Sequence, residues 1–142
     1  YVNSLGIKTL ENENIYIGPK DNGFYLCGVY DRFGNRYGAY KPDINKALEN
    51  TNTHPTVLLA HQPKFIEEIE NTVGIDLILC GHTHGGQIFP FNFLVKLQQP
   101  YVRGLNTHNE FTQVYVNKGT GFWGPPMRLG ASSEITFLKL SS

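Results

Sequence analysis

The chain has 142 residues, with 12 Lys plus Arg balanced by 12 Asp plus Glu, and 40% of its residues are hydrophobic. That length holds one domain with its own core and not two ordinary ones. Zero formal charge with no block of either sign argues against a nucleic-acid binder working through a basic face, and no stretch is long and apolar enough to span a membrane.

In chain order, Tyr1–Gly6 starts abruptly and reads as the tail of an element that begins upstream. Lys8–Ile17 alternates loosely through Leu10, Ile15 and Ile17, which predicts one or two short strands, and Pro19–Gly23 is a turn. Phe24–Tyr30 is β-rich in composition and predicts a strand. Asp31–Gly38 is a polar loop; Asp31 either lies near a site at the end of that strand or only fixes the turn. Pro42–Glu49 predicts a short helix with Ile44, Ala47 and Leu48 inward. Residues 50–55 are a loop in which His54, before a proline, is expected to be exposed and unrelated to metal. Cys27 and Cys80 fall in strand-like apolar runs and read as small buried filler, not a disulfide and not ligands.

The centre of the chain carries the chemistry. An apolar run, Thr56–Ala60, ends on His61. Pro63 then opens a stripe of Phe65, Ile66 and Ile69 at helical spacing, with Gly74 at the expected stop. A second apolar run, Ile75–Cys80, leads into Gly81-His-Thr-His-Gly-Gly-Gln87. The unit reads as strand 56–60, helix 64–72 and strand 75–80. Such a crossover gives parallel strands with a right-handed connection. Parallel strands share a carboxyl edge, so His61, His82 and His84 converge on one rim, where open α/β sheets bind ligands. Imidazoles two residues apart on an extended segment face the same side. They can serve one ion, or two ions about 3.5–4 Å apart. Gly81, Gly85 and Gly86 shape the site by letting the chain turn sharply beside it. The plain alternative is a loop with two ordinary histidines, and His61 capping the core.

Gln87–Leu97 is strongly apolar and predicts a short strand followed by a helix over 92–97. Its phenylalanines, Phe89, Phe91 and Phe93, are either core or an exposed patch for an apolar substrate tail or a bilayer surface. Gln98–Glu110 is a polar connection with His108 as a solvated loop residue. Phe111–Val116 predicts a strand, 117–130 a glycine- and proline-rich loop, and Glu134–Leu140 a closing strand. The class is α/β (α+β), a mixed β-sheet with flanking helices.

His61, the Gly81-His-Thr-His-Gly-Gly-Gln87 motif and the tail Val116–Gly121, Pro126–Arg128 and Glu134–Ile135 together resemble the C-terminal part of a calcineurin-like metallophosphoesterase. The similarity is to the bacterial, membrane-associated YkuE/YaeI-like branch, which includes UDP-2,3-diacylglucosamine hydrolases of lipid A assembly. The resemblance covers essentially the whole chain. It implies that residues 1–142 are the C-terminal portion of one domain, half of a four-layer α/β/β/α sandwich. It implies that His61 and His82 ligate one divalent ion of a pair and His84 the other, with manganese, iron, zinc or magnesium as the metal. The pair would activate a bridging hydroxide against a phosphodiester or pyrophosphate, lipid-linked or nucleotide-sugar in kind. Lys118 and Arg128 would hold phosphate oxygens; the family often has arginine where Lys118 stands.

The family's Asp-x-His, Gly-Asp-x-x-Asp and Gly-Asn-His-Glu motifs have no match in this chain. No catalytic acid is therefore assigned here, and the fragment alone is expected to be inactive while its parent is a hydrolase. The parent is expected at a membrane, on the cytoplasmic face or in the cell envelope, in peripheral contact with it. The fragment is expected to be soluble, with apolar surface exposed where the missing sheet packs and self-association across it. Two other readings stand beside this one: a mononuclear zinc site on His61, His82 and His84, and a non-catalytic binding module.

Overall fold

The computed structural model describes residues 2–51, 53–70 and 74–141. Six strands form one mixed sheet: β1 (Glu13–Ile17), β2 (Phe24–Gly28), β3 (Thr56–Leu59), β4 (Leu77–Cys80), β5 (Gly104–Thr107) and β6 (Gln113–Val116). Their order is β1-β2-β3-β4-β6-β5. The four central strands, β2, β3, β4 and β6, run parallel, and an antiparallel strand closes each edge. The crossover expected from the sequence is present, and β3 and β4 are immediate neighbours. The mixed sheet with a few helices is an α/β arrangement.

The register explains the core. Cys27 pairs with Leu58, Leu58 with Ile78, and Ile78 with Val114, so one residue from each parallel strand lines one face. All four are buried. Ala60, Cys80 and Val116 extend the same buried cluster. Covering it are α1 (Ile44–Ala47), with Ile44, Ala47 and Leu48, and a 3-10 segment, Pro63–Glu68, with Phe65 and Ile66. Burying a side chain the size of Leu58 contributes about 1.5–3 kcal/mol. On the opposite face Leu59 and Leu105 are exposed, and Leu26, Leu77 and Leu79 only half-buried.

Several expectations are corrected. The segment after Pro63 is not an α-helix over 64–72: the 3-10 turns end at Glu68, Ile69 is extended, and 71–73 lie outside the described residues. Glu67, Glu68 and Glu70 crowd negative charge at the carboxyl end, where the helix dipole opposes it. The polar connection after Gln98 contains β5, whose apolar content is too small to announce a strand; β6 recruits it as a hairpin partner. The strand over Glu134–Leu140 does not form. Ile135 and Phe137 are 92% and 91% exposed, because no neighbouring strand among the described residues lies beside them. A β-rich sequence without a partner gains no ladder. The strand expected after Gln87 is reduced to two isolated bridges from Ile88, to Leu129 and to Gly130. The helix behind it, α2 (Asn92–Gln98), forms as expected.

Candidate functional site

The β3–β4 ladder runs on past the paired strands. Ala60 N–H donates to Leu79 O at 3.1 Å and Gly81 N–H to His61 O at 3.0 Å. The sheet thus delivers His61 and His82 to the same carboxyl rim. Their rings meet edge to face, centroids 5.0 Å apart, with His82 Nδ1 3.3 Å from His61 Nε2. Two facing nitrogens at that distance need a proton or a cation between them. Two imidazole nitrogens about 2.1 Å from one ion, at a roughly tetrahedral angle, lie about 3.4 Å apart. The pair therefore fits a shared metal. The pKa of His82 is lowered, first by partial burial and then by His61 and His84, against an opposing pull from Asp31. At neutral pH that favours the neutral ring, the form that ligates.

The segment after Gly81 is not extended. His82, His84 and Gln87 have φ of 65°, 50° and 42°, and Gly85 and Gly86 66° and 86°. The histidines are aimed by positive-φ backbone on either side of a right-handed Thr83 (φ −72°, ψ −20°), not by strand alternation. Such conformations cost about 1–3 kcal/mol each for non-glycine residues and persist where surroundings over-determine them. Here the surroundings are buried polar anchors. Thr83 Oγ1 donates to Val102 O at 2.7 Å and accepts from Gly85 N–H. Gln87, fully buried, donates from Nε2 to Trp123 O at 2.7 Å and accepts from Trp123 N–H at 2.8 Å. Sequence reasoning gave neither residue a role; an amide or hydroxyl inside a glycine-flanked motif was the available signal. Gly86 is required by contact as well, since a Cβ there would lie 2.5 Å from Asn92 Cβ. Gly81 shows no such constraint: its Cβ would meet only His61 Nδ1, at 3.9 Å.

His84 lines the same cavity of about 430 Å³ as His61 and His82, whose other wall is Phe91, Leu94, Val95 and Trp123. Its Nδ1 sits 3.3 Å from Gly121 O and 3.3 Å from Arg128 Nη2. Lys118 pairs with Glu134 at 3.3 Å. Glu134 also accepts from Tyr115 Oη, Thr136 and Asn117. The Tyr115 hydrogen bond, then Thr136 and Lys118, hold the Glu134 carboxyl below its usual range, while burial and Glu134 push Tyr115 up.

The remaining residues fall into place around this rim. Asp31 caps the 3-10 turn Arg32–Tyr37 by accepting from Phe33 N–H, and it also accepts from Gln62 Nε2 at 2.9 Å, so it both fixes a turn and lies beside the site. His54 is not exposed: it is half-buried against Tyr16 and Tyr25, at the opposite, amino end of β3. His108 is likewise half-buried, with Nδ1 3.0 Å from Tyr101 Oη. Phe89, Phe91 and Phe93 are exposed and not core. Cys27 and Cys80 are buried and unpaired. Among the described residues no group of three or more His, Cys, Asp or Glu side chains is placed to hold a metal ion. No helix among the described residues is long and apolar enough to cross a membrane.

The chain is 48% identical over 141 residues to a Helicobacter pylori protein named an uncharacterized metallophosphoesterase, a match covering 99% of this chain and 37% of that protein. It is 43% identical over 149 residues to a Bos taurus protein named transmembrane protein with metallophosphoesterase domain, covering 98% of this chain and 34% of that one. A protein of Aquifex aeolicus, also named an uncharacterized metallophosphoesterase, is 31% identical over 144 residues, covering 99% and 53%. The chain thus spans about a third to a half of the length of these relatives. No protein-family model matches the chain, and no solved structure does. Similarity at this level along the whole chain supports a metallophosphoesterase fold.

Proposed function

We propose that the chain is the C-terminal part of a metallophosphoesterase domain, half of a four-layer sandwich, in a protein that hydrolyses phosphodiester or pyrophosphate bonds with two divalent ions. The observation that carries this reading is the 3.3 Å approach of His61 Nε2 and His82 Nδ1 on the rim of two parallel strands. His61 and His82 hold one ion. His84 offers Nε2, the nitrogen that neither Gly121 nor Arg128 engages, to the other. Divalent ions there would supply Lewis acidity toward a phosphoryl oxygen and lower the pKa of water. Hard divalent ions also want carboxylates; Asp31 lies beside the rim, and on this reading the rest of the full-length protein supplies the others, so the chain alone does not turn over substrate.

The apolar wall of Phe91, Leu94, Val95 and Trp123 faces the histidines across the cavity. It favours a phosphoester with an apolar portion, such as a UDP-2,3-diacylglucosamine-like lipid. Exposed Phe89, Phe93 and Leu97 beside Lys96 suit peripheral contact with a bilayer. The Bos taurus relative, by its name, carries its metallophosphoesterase domain in a transmembrane protein. The half-exposed sheet face around Leu59 and Leu105 is where a partner sheet, or a second copy of the isolated chain, would pack.

The test uses the full-length protein that carries this sequence, with Mn²⁺ and bis-p-nitrophenyl phosphate. His82→Ala and His84→Ala should each lower kcat by more than the roughly 10–100-fold that losing an outer-shell partner costs. An unchanged rate in His84→Ala overturns the proposal.

A further inference from the structure

We infer that Arg128 is a positioning residue for His84 and not an anion holder. The inference rests on the reading of His84 as a ligand. An arginine has five N–H donors and no acceptor. Here Nε donates to Gly121 O at 3.0 Å. Nη1 donates to His84 O and Ala131 O, both at 3.3 Å. Nη2 donates to Lys118 O at 2.9 Å, Gly119 O at 3.1 Å and Gly121 O at 2.5 Å. Five donors meet the carbonyls of five residues, so no N–H is left for a phosphate oxygen.

What those bonds accomplish is local. His84 has φ 50°, a backbone region that L residues avoid unless held. Arg128 takes its carbonyl and, through Lys118, Gly119 and Gly121, locks the glycine-rich loop against it. The loop in turn places Gly121 O beside His84 Nδ1, the kind of outer-shell carbonyl that fixes the ring of a metal ligand. Lys118 completes the platform: its Cγ and Cδ fill the space where a Cβ on Gly85 would lie, at 2.7 and 2.9 Å, and its ammonium is occupied by Glu134. A lysine at 128 supplies only three donors from a single point and cannot bridge carbonyls on both sides of the loop.

The experiment counts bound Mn²⁺ by equilibrium dialysis in the full-length protein, stripped and reloaded. It compares the wild type with Arg128→Lys, Arg128→Gln and His84→Ala, and measures inhibition by inorganic phosphate at saturating Mn²⁺. Arg128→Lys should keep one ion at wild-type affinity and bind the second at least tenfold more weakly. At saturating Mn²⁺ its kcat should return to within about threefold of wild type, with the phosphate inhibition constant unchanged. Two ions at wild-type affinity, with phosphate inhibition weakened tenfold at saturating Mn²⁺, would make Arg128 an anion holder and overturn the inference. Loss of both ions from a variant with a wild-type circular dichroism spectrum overturns it too, since the effect would not be specific to His84. If Arg128→Gln does not fold, Arg128→Lys decides. Should His84→Ala retain both ions, the ligand reading itself fails. Should His84→Ala lose one ion that Arg128→Lys keeps, only the present inference fails.

Discussion

Gly86→Ala offers a sharp test of how the histidine loop is held. The backbone there has φ +86°, and a Cβ would lie 2.5 Å from Asn92 Cβ and 2.8 Å from Asn92 Cα. The left-handed conformation costs an L residue about 1–2 kcal/mol. The clash adds about 1–3 kcal/mol, the usual penalty for forcing extra volume into packed structure. Neither contact atom can rotate away, since both belong to Asn92 at or next to the backbone, so α2 itself must shift. The sum is about 2–5 kcal/mol. Gly85→Ala is the internal control: its Cβ would meet Lys118 Cγ and Cδ at 2.7 and 2.9 Å, on a side chain that can turn aside, and Ala131 Cβ at 3.4 Å. It should therefore cost little beyond the backbone part, about 1–2 kcal/mol. Urea denaturation of both variants, with the m-value held in common, measures the difference. A Gly86→Ala midpoint equal to or above that of Gly85→Ala would refute the claim that α2 and the loop are in rigid contact.

Three further outcomes follow from the same geometry. Gln87→Ala strands the N–H and C=O of Trp123, and should cost about 1–3 kcal/mol while changing the fluorescence of Trp123, the chain's one tryptophan; an unaltered urea midpoint and spectrum would argue against Gln87 as the pin of that loop. Burial pushes the Cys27 thiol up to about 11 and Cys80 up to about 12, so iodoacetamide at pH 8 should leave both unmodified in the native chain and label both in urea; native labelling at the rate of free cysteine would contradict the packing described. Glu134 has its folded pKa held below the ordinary 4.5, so its contribution to stability is complete above pH 4.5 and is lost as the pH falls through the lower folded value. Glu134→Gln should accordingly flatten the acid limb of a plot of stability against pH; an unchanged limb would mean that the Tyr115–Glu134–Lys118 cluster is not formed in solution.

The parts of the fold that could be read in advance are those in which one residue decides one thing. Apolar runs ending at His61 and Gly81, with Pro63 between, determine a parallel crossover because handedness and burial leave no other arrangement. Position 58 faces the core because its neighbours at 27 and 78 do, and period-two patterning carries that information. What could not be read is what depends on a neighbour. The Gly104–Thr107 strand is polar and forms because β6 offers it an edge. Conversely, Glu134–Leu140 has the composition of a strand and finds no edge to join among the described residues. Phe89, Phe91 and Phe93 look like core by composition, and only three-dimensional placement shows that they face outward.

The histidine site divides along the same line, and the division bears on how the motif works. That His61 and His82 meet follows from sheet topology and was legible. The direction of His84 was not, since it depends on left-handed backbone that alternation cannot encode. Glycines at 85 and 86 announce a turn but not its hand or its partner. The partner is a set of residues far along the chain: Trp123, held by Gln87, and Arg128, holding His84. The motif therefore cannot be transplanted as seven residues. Its two histidines have different dependences: His82 leans on the sheet, and His84 leans on the loop 117–131. Damage to that loop should consequently separate them, disabling His84 while the His61–His82 pair stays intact. A perturbation of the loop that disturbed both equally, seen as matched changes in the ring signals of His82 and His84 by NMR, would show that the rim and the loop move as one unit and that this division is wrong.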